Sequence, residues 1–79
     1  MKTLLSYLIS EITGSEDFEI DEDVGESGYT NLTLKVSKDH MGLVIGKKGK
    51  MISALRSILR TKATLDRIGF SLNVVEKES

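Results

Sequence analysis

The chain has 79 residues, enough for one domain, and a formal net charge of −1. It contains no cysteine and no proline, which excludes disulfides, thiolate metal sites and proline-rich recognition segments. No apolar stretch approaches the roughly 18 residues of a transmembrane helix, and no secretory cleavage pattern is visible, so we expect a cytoplasmic protein with no membrane partner.

The small net charge conceals a strong polarity along the chain. Residues 1–37 carry two basic and eight acidic side chains, whereas residues 38–67 carry eight basic and two acidic ones. Residues 68–79 add one basic and two acidic side chains. A chain of this kind can bind a polyanion on one surface, although a solvated charged surface without a ligand would look the same.

The N-terminal segment predicts an amphipathic helix. Its apolar residues recur at helical spacing, and Gly14 is a natural end for it. The apolar positions are Leu4, Leu5, Leu8, Ile9 and Ile12.

Acidic and apolar residues then alternate over residues 17–24, which predicts a strand. We expect Phe18, Ile20 and Val24 on one face and carboxylates on the other. Acidic side chains also protect an edge strand from pairing with other chains. Residues 25–28 read as a hairpin turn.

The remaining elements follow in the order strand, helix, helix, strand. A strand over residues 29–36 is followed by Ser37, a good N-cap for a short helix over residues 38–45. A longer helix is predicted over residues 49–65 and a last strand over residues 69–76. The inward positions of the first of these strands are Leu32, Leu34 and Val36.

This order predicts an α+β domain with a three-stranded sheet and the helices on one of its faces. No internal repeat or low-complexity segment divides the chain, so we treat residues 1–79 as a single domain.

The loop between the two consecutive helices carries the strongest functional signal. Gly46 and Gly49 bracket two residues, and glycine permits the positive φ values that such a tight turn requires. The loop leads into a helix N-terminus, where free N–H groups and the helix dipole favour an anion. Lys47, Lys48 and Lys50 add positive charge suited to phosphates. A tight helix–helix turn without a ligand is the alternative.

The residues flanking the loop make the pattern more specific. Val44 and Ile45 precede it and Ile52 follows it, giving Val-Ile-Gly-x-x-Gly-x-x-Ile. With a helix and strand before the core, the chain resembles a type II KH domain and is similar to the short bacterial single-KH proteins of the KhpA family. In such a domain residues 1–28 are the N-terminal helix and strand extension, residues 29–76 the KH core, and residues 77–79 a polar tail.

The resemblance implies a function and a set of contact residues. KH domains bind single-stranded RNA, and their Gly-x-x-Gly loop clamps about four nucleotides of backbone. The family's groove lies between the paired helices and the last strand, although ordinary core packing would also explain its apolar residues, and a solvated helix face its arginine. The implied RNA-binding residues are Ile45, Gly46, Lys47, Lys48, Gly49, Lys50, Ile52, Leu55 and Arg56.

The long helix shows two apolar stripes. One consists of Ile52, Leu55, Leu59 and Ala63 and suffices to pack the helix on the sheet. The second lies roughly 100° away and would be covered either by the first helix or by a second copy of the chain. The resemblance implies homodimers and pairing with a KhpB-like KH-containing partner. The second stripe consists of Met51, Ala54, Ile58 and Leu65.

The sequence predicts no enzyme and no metal site. His40 is the only histidine, the carboxylates of residues 17–23 lie along a solvent face, and the loop lacks the spacing of a nucleotide-binding P-loop. We therefore expect no cofactor, and the resemblance to the KhpA family implies a post-transcriptional regulator or RNA chaperone. Two alternatives remain, a protein-interaction module with incidental nucleic-acid contact and a single-stranded DNA-binding domain.

Overall fold

The computed structural model describes residues 1–77 and contains three α-helices and three strands. Their bounds are α1 Lys2–Thr13, β1 Phe18–Val24, β2 Thr30–Val36, α2 Lys38–Ile45, α3 Lys50–Asp66 and β3 Phe70–Glu76, with a short 3₁₀ turn at Lys47–Gly49. The predicted element order and the α+β class are therefore confirmed.

The sheet is mixed, with the strand order β1-β2-β3. β1 and β2 are antiparallel because a tight turn joins them, and the Gly28 N–H donates to the Gly25 carbonyl at 3.0 Å. β2 and β3 are parallel because the connection between them crosses over through α2 and α3. β3 consequently has one open edge, which faces away from β2.

The core lies between one face of the sheet and the helices. Leu32, Leu34 and Val36 of β2 are fully buried, as predicted. α1 contributes Leu5 and Ile9, and α3 contributes the whole predicted packing stripe. The buried residues of that stripe are Ile52, Leu55, Leu59 and Ala63.

One predicted core position differs from the structure. Val24 is 58% exposed although it shares a face with the buried Ile20, because it lies at the hairpin end of β1, where core packing has stopped. β3 ends at Glu76, the predicted end of the last strand, and the Lys77 N–H donates to the Val36 carbonyl directly after it. Residues 78 and 79 of the predicted tail lie outside the described residues.

The other face of the sheet carries three of the four acidic residues of β1. Because side chains alternate along a strand and Ile20 points into the core, Glu19, Asp21 and Asp23 point away from the helices. Asp21 forms an ion pair with Lys35 at 3.0 Å. Glu19, Asp21 and Asp23 are therefore on the side of the sheet opposite the helices and the glycine loop. The prediction that all carboxylates of this strand lie there is wrong for Glu22, which shares the face of Ile20 and accepts from the Lys2 N–H of α1 at 3.3 Å.

In residues 1–77 we find no helix that is both long and apolar enough to cross a bilayer.

Candidate nucleic-acid interface

Gly46 is the residue that turns the chain between α2 and α3. Its φ of 76° and ψ of 172° lie in a region that only glycine occupies readily. A Cβ atom there would come within 2.6 Å of the Met51 Cβ and 2.8 Å of the Met51 nitrogen. The position thus requires glycine on two grounds, its backbone conformation and the close approach of α3.

Gly49 has a different role from Gly46. Its φ of 76° and ψ of 14° are left-handed, and its N–H donates to the Gly46 carbonyl at 3.1 Å. A Cβ atom there would meet only the Ile52 Cγ2, at 3.9 Å. Glycine is therefore favoured at this position by conformation alone.

Lys48 is left-handed as well, with φ 57° and ψ 27°, although it is not glycine. A single non-glycine residue in this conformation costs on the order of 1–2 kcal/mol. The strained position carries a lysine rather than a glycine, which adds an exposed positive charge to the turn.

Substitution of Lys48 by asparagine separates this strain from the charge. Asparagine tolerates the left-handed region, so we expect Lys48→Asn to raise the free energy of unfolding by about 0.5–1 kcal/mol, or about 4 °C in Tm. Lys47, whose φ is not positive, supplies the matched control, since Lys47→Asn removes the same charge without relieving strain. Equal thermal stability of the two variants would contradict the prediction.

The loop is exposed and positively charged. The first turn of α3 contains no acidic residue, and no side chain caps its N-terminus. Lys47, Lys48 and Lys50 are exposed, and no ion pair within residues 1–77 involves them. Exposed ammonium groups outside any ion pair thus lie at the start of α3, where the helix dipole also favours an anion.

The apolar residues beside the loop differ in accessibility. Ile45 is partly buried, Ile52 is 8% exposed, and Leu55 is 1% exposed. Ile45 and Ile52 therefore offer some surface beside the glycine loop. Leu55 is too deeply buried to contact a ligand itself and can only pack behind that surface.

Arg56 is held by β3. Its Nη2 donates to the Leu72 carbonyl at 3.2 Å. At the two ends of the pairing, the Gly69 carbonyl accepts from the Thr30 N–H and the Lys77 N–H donates to the Val36 carbonyl. Because alternate residues of a strand form hydrogen bonds to the same neighbour, the odd-numbered residues of β3 bond to β2. The Leu72 carbonyl therefore faces the open edge of β3. The sequence gives no signal for this contact, because the orientation of a strand edge follows only from pairing.

The second stripe of α3 is at the surface. Met51 is 37%, Ile58 44% and Leu65 76% exposed, and Ala54 is exposed beside them. The alternative in which the first helix covers this stripe is therefore wrong, because α1 packs through Leu5 and Ile9 into the core and leaves the stripe open. Arg56 and Ile58 are two residues apart and so lie on nearly opposite sides of α3.

Comparison with known families adds an independent line of information. The family model described as the KH domain of KhpA/KhpB matches residues 2–74. This match confirms the resemblance drawn from the glycine loop and its flanks. No solved structure gives a significant match.

Several curated proteins are similar along most of the chain, and all are named RNA-binding protein KhpA. The one from Clostridium perfringens is 36% identical over 64 residues, covering 80% of this chain and 84% of that protein. The one from Halalkalibacterium halodurans is 33% identical over 78 residues, covering 96% and 100%. The one from Chlamydia trachomatis serovar D is 29% identical over 77 residues, covering 98% and 99%.

Proposed function

We propose, from the premise that this chain belongs to the KhpA/KhpB family of KH domains, that it binds single-stranded RNA through the loop Gly46-Lys47-Lys48-Gly49. The observation that carries the proposal is the exposed, unpaired positive charge at a glycine turn that opens directly into α3. The names of the similar proteins support the same ligand.

The loop would bind the sugar–phosphate backbone rather than the bases. Gly46 and Gly49 carry no side chain that would hold a strand away from the loop backbone. Lys47, Lys48 and Lys50 would neutralise neighbouring phosphates, which fixes the strand without reading its sequence. Binding of this kind weakens as salt rises.

The bases would lie against aliphatic residues next to the loop. Ile45 is the more accessible of them, whereas Ile52 exposes only 8% of its surface and Leu55 only 1%. The chain has only four aromatic residues, two tyrosines and two phenylalanines, so stacking would contribute little. Apolar contact alone distinguishes bases weakly.

The test of this mechanism is the double variant Lys47→Asp/Lys48→Asp, titrated with a fluorescent single-stranded RNA of eight nucleotides. We expect affinity to fall at least about tenfold. The slope of log K against log salt should become shallower by at least about 1.4, because each lost phosphate contact removes about 0.7 for a single strand. Circular dichroism would show that the variant is folded.

The variant Lys2→Asp/Lys62→Asp controls for net charge. Lys2 lies next to Glu22 of β1, and Lys62 lies in the last part of α3, roughly 20 Å along the helix from Gly49. This control changes the net charge by as much as the loop variant does, but at positions away from the loop. We therefore expect it to bind RNA nearly as well as the parent. A folded loop variant that binds as tightly as the parent would refute the proposed role of the loop.

The exposed stripe of α3 supports an assembly role alongside RNA binding. Four neighbouring apolar side chains on a helix surface suit a two-fold contact in which the same patch serves both partners. We infer a homodimer through Met51, Ala54, Ile58 and Leu65. The same surface would accept a KhpB-like KH-containing chain in place of the second copy.

In a cell, these properties fit a cytoplasmic post-transcriptional regulator or RNA chaperone. A dimer has two loops, and its avidity increases if one RNA reaches both. The proposal contains no catalytic step. Within residues 1–77 no group of histidine and carboxylate side chains could hold a metal ion.

A protein-interaction module with incidental nucleic-acid contact is the second candidate, favoured by the exposed stripe. A preference for single-stranded DNA is a variant of the first proposal. Titrating RNA and DNA octamers of one sequence in parallel separates them, because a protein that binds neither is an interaction module. Tighter binding of the DNA strand would replace RNA as the ligand.

A further inference from the structure

Arg56 lies in line with the glycine loop. Gly49, Ile52 and Arg56 are separated by three and four residues, so they follow one side of α3. Arg56 is seven residues beyond Gly49, roughly 10 Å along the helix. A strand whose phosphates rest on the loop would therefore place a base over Ile52 with its polar edge toward Arg56.

The hydrogen bond to β3 fixes the position of the guanidinium group. Its Nη2 donates to the Leu72 carbonyl at 3.2 Å, on the open edge of the strand. The Leu72 side chain is packed in the core, with the residue 4% exposed, so the strand position that carries this carbonyl is fixed. A long arginine side chain held in this way loses less freedom when it binds a ligand.

Most of the hydrogen-bonding capacity of Arg56 stays available. A guanidinium group has five donors and no acceptor, and the contact to Leu72 uses one nitrogen. No ion pair within residues 1–77 includes Arg56. The group therefore presents a charged, planar donor set that no carboxylate neutralises.

We propose that Arg56 selects the base, and that it favours bases with two adjacent acceptor atoms. Guanine presents O6 and N7, the commonest bidentate arginine contact, and cytosine presents O2 and N3. Adenine has a donor next to N7, and uracil has an N–H between its two carbonyls. The inference rests on the proposed function and assigns Arg56 to base selection instead of the phosphate contacts.

The test compares four RNA octamers: U8, A8, C8, and a U8 strand in which one central uridine is replaced by guanosine. The last strand has too little guanine to form quadruplexes. We expect C8 and the guanosine-containing strand to bind about fivefold or more tightly than U8 and A8. Arg56→Lys keeps the charge but loses the planar fork. We expect it to reduce the preference to within about twofold, because C8 and the guanosine-containing strand should lose more affinity than U8.

The outcomes separate this inference from the proposed function. A parent protein that binds none of the four strands overturns RNA binding itself. A parent that binds all four equally overturns only the selection by Arg56. If Arg56→Lys keeps the full preference, Arg56 only connects α3 to β3, and the inference is wrong. If the variant loses as much affinity for U8 as for C8, Arg56 is a phosphate contact, and the inference is wrong as well. If Arg56→Lys fails to fold, Arg56→Gln replaces it in the same four titrations and should likewise lose the preference.

Discussion

Replacing Gly46 by alanine is expected to lower the free energy of unfolding by about 3 kcal/mol or more. The added Cβ costs about 1–3 kcal/mol in backbone strain and a similar amount in overpacking against Met51, which it would approach to 2.6 Å. A domain of this length has a total stability of only roughly 4–12 kcal/mol. Thermal denaturation should show a drop of more than about 12 °C in Tm.

Gly49→Ala is the matched control for this effect. The same methyl group at Gly49 meets nothing closer than 3.9 Å, so only the left-handed conformation opposes it, at about 1 kcal/mol. The two variants have the same composition and differ only in which glycine is replaced. Equal losses of stability would show that the approach of α3 to Gly46 does not constrain the loop.

Replacing Ile58 by aspartate is expected to give a folded monomer. Ile58 is 44% exposed within one chain, so the change leaves the core intact. In a two-fold dimer it would bury one unpaired carboxylate per chain, and an uncompensated buried charge costs about 3–5 kcal/mol. The dimer should therefore weaken by more than about a hundredfold. Sedimentation equilibrium would report the mass of one chain where the parent shows two.

Ser57→Asp provides the comparison, since it adds the same charge one residue away and on the polar side of α3. We expect this variant to sediment like the parent. An unchanged mass for Ile58→Asp would remove the stripe from the interface, and outright unfolding would show that Ile58 is needed inside the domain. A parent that sediments as one chain would refute the dimer itself.

The sequence predicted most of the fold because its signals were local. Ser37 and Gly46 flank a helix whose predicted and observed bounds, Lys38–Ile45, are the same. Alternation predicted β2 correctly because its inward residues all face the helices. It was misleading at Val24, since alternation states which face a residue is on and not whether the core extends that far.

The candidate site was only partly predictable. The glycines, the lysines and the helix start can be read from a short pattern. The left-handed conformation of Lys48 cannot, because nothing in a lysine signals it. The contact between Arg56 and Leu72 joins residues 16 apart, and it depends on which edge of β3 is open. Long-range geometry of this kind follows from pairing and packing rather than from local preference.

The carboxylates on the outer face of the sheet bear on how an acidic protein approaches RNA. Electrostatic interactions fade over about 8 Å at physiological ionic strength, less than the shortest extent of the molecule, 19 Å. A phosphate bound at the lysines is thus hardly repelled by Glu19, Asp21 and Asp23. An RNA strand that approaches the outer face of the sheet is repelled by these carboxylates. Encounters should favour one orientation, and this preference should grow in buffer of low ionic strength, where weaker screening strengthens both the attraction to the lysines and the repulsion behind the sheet.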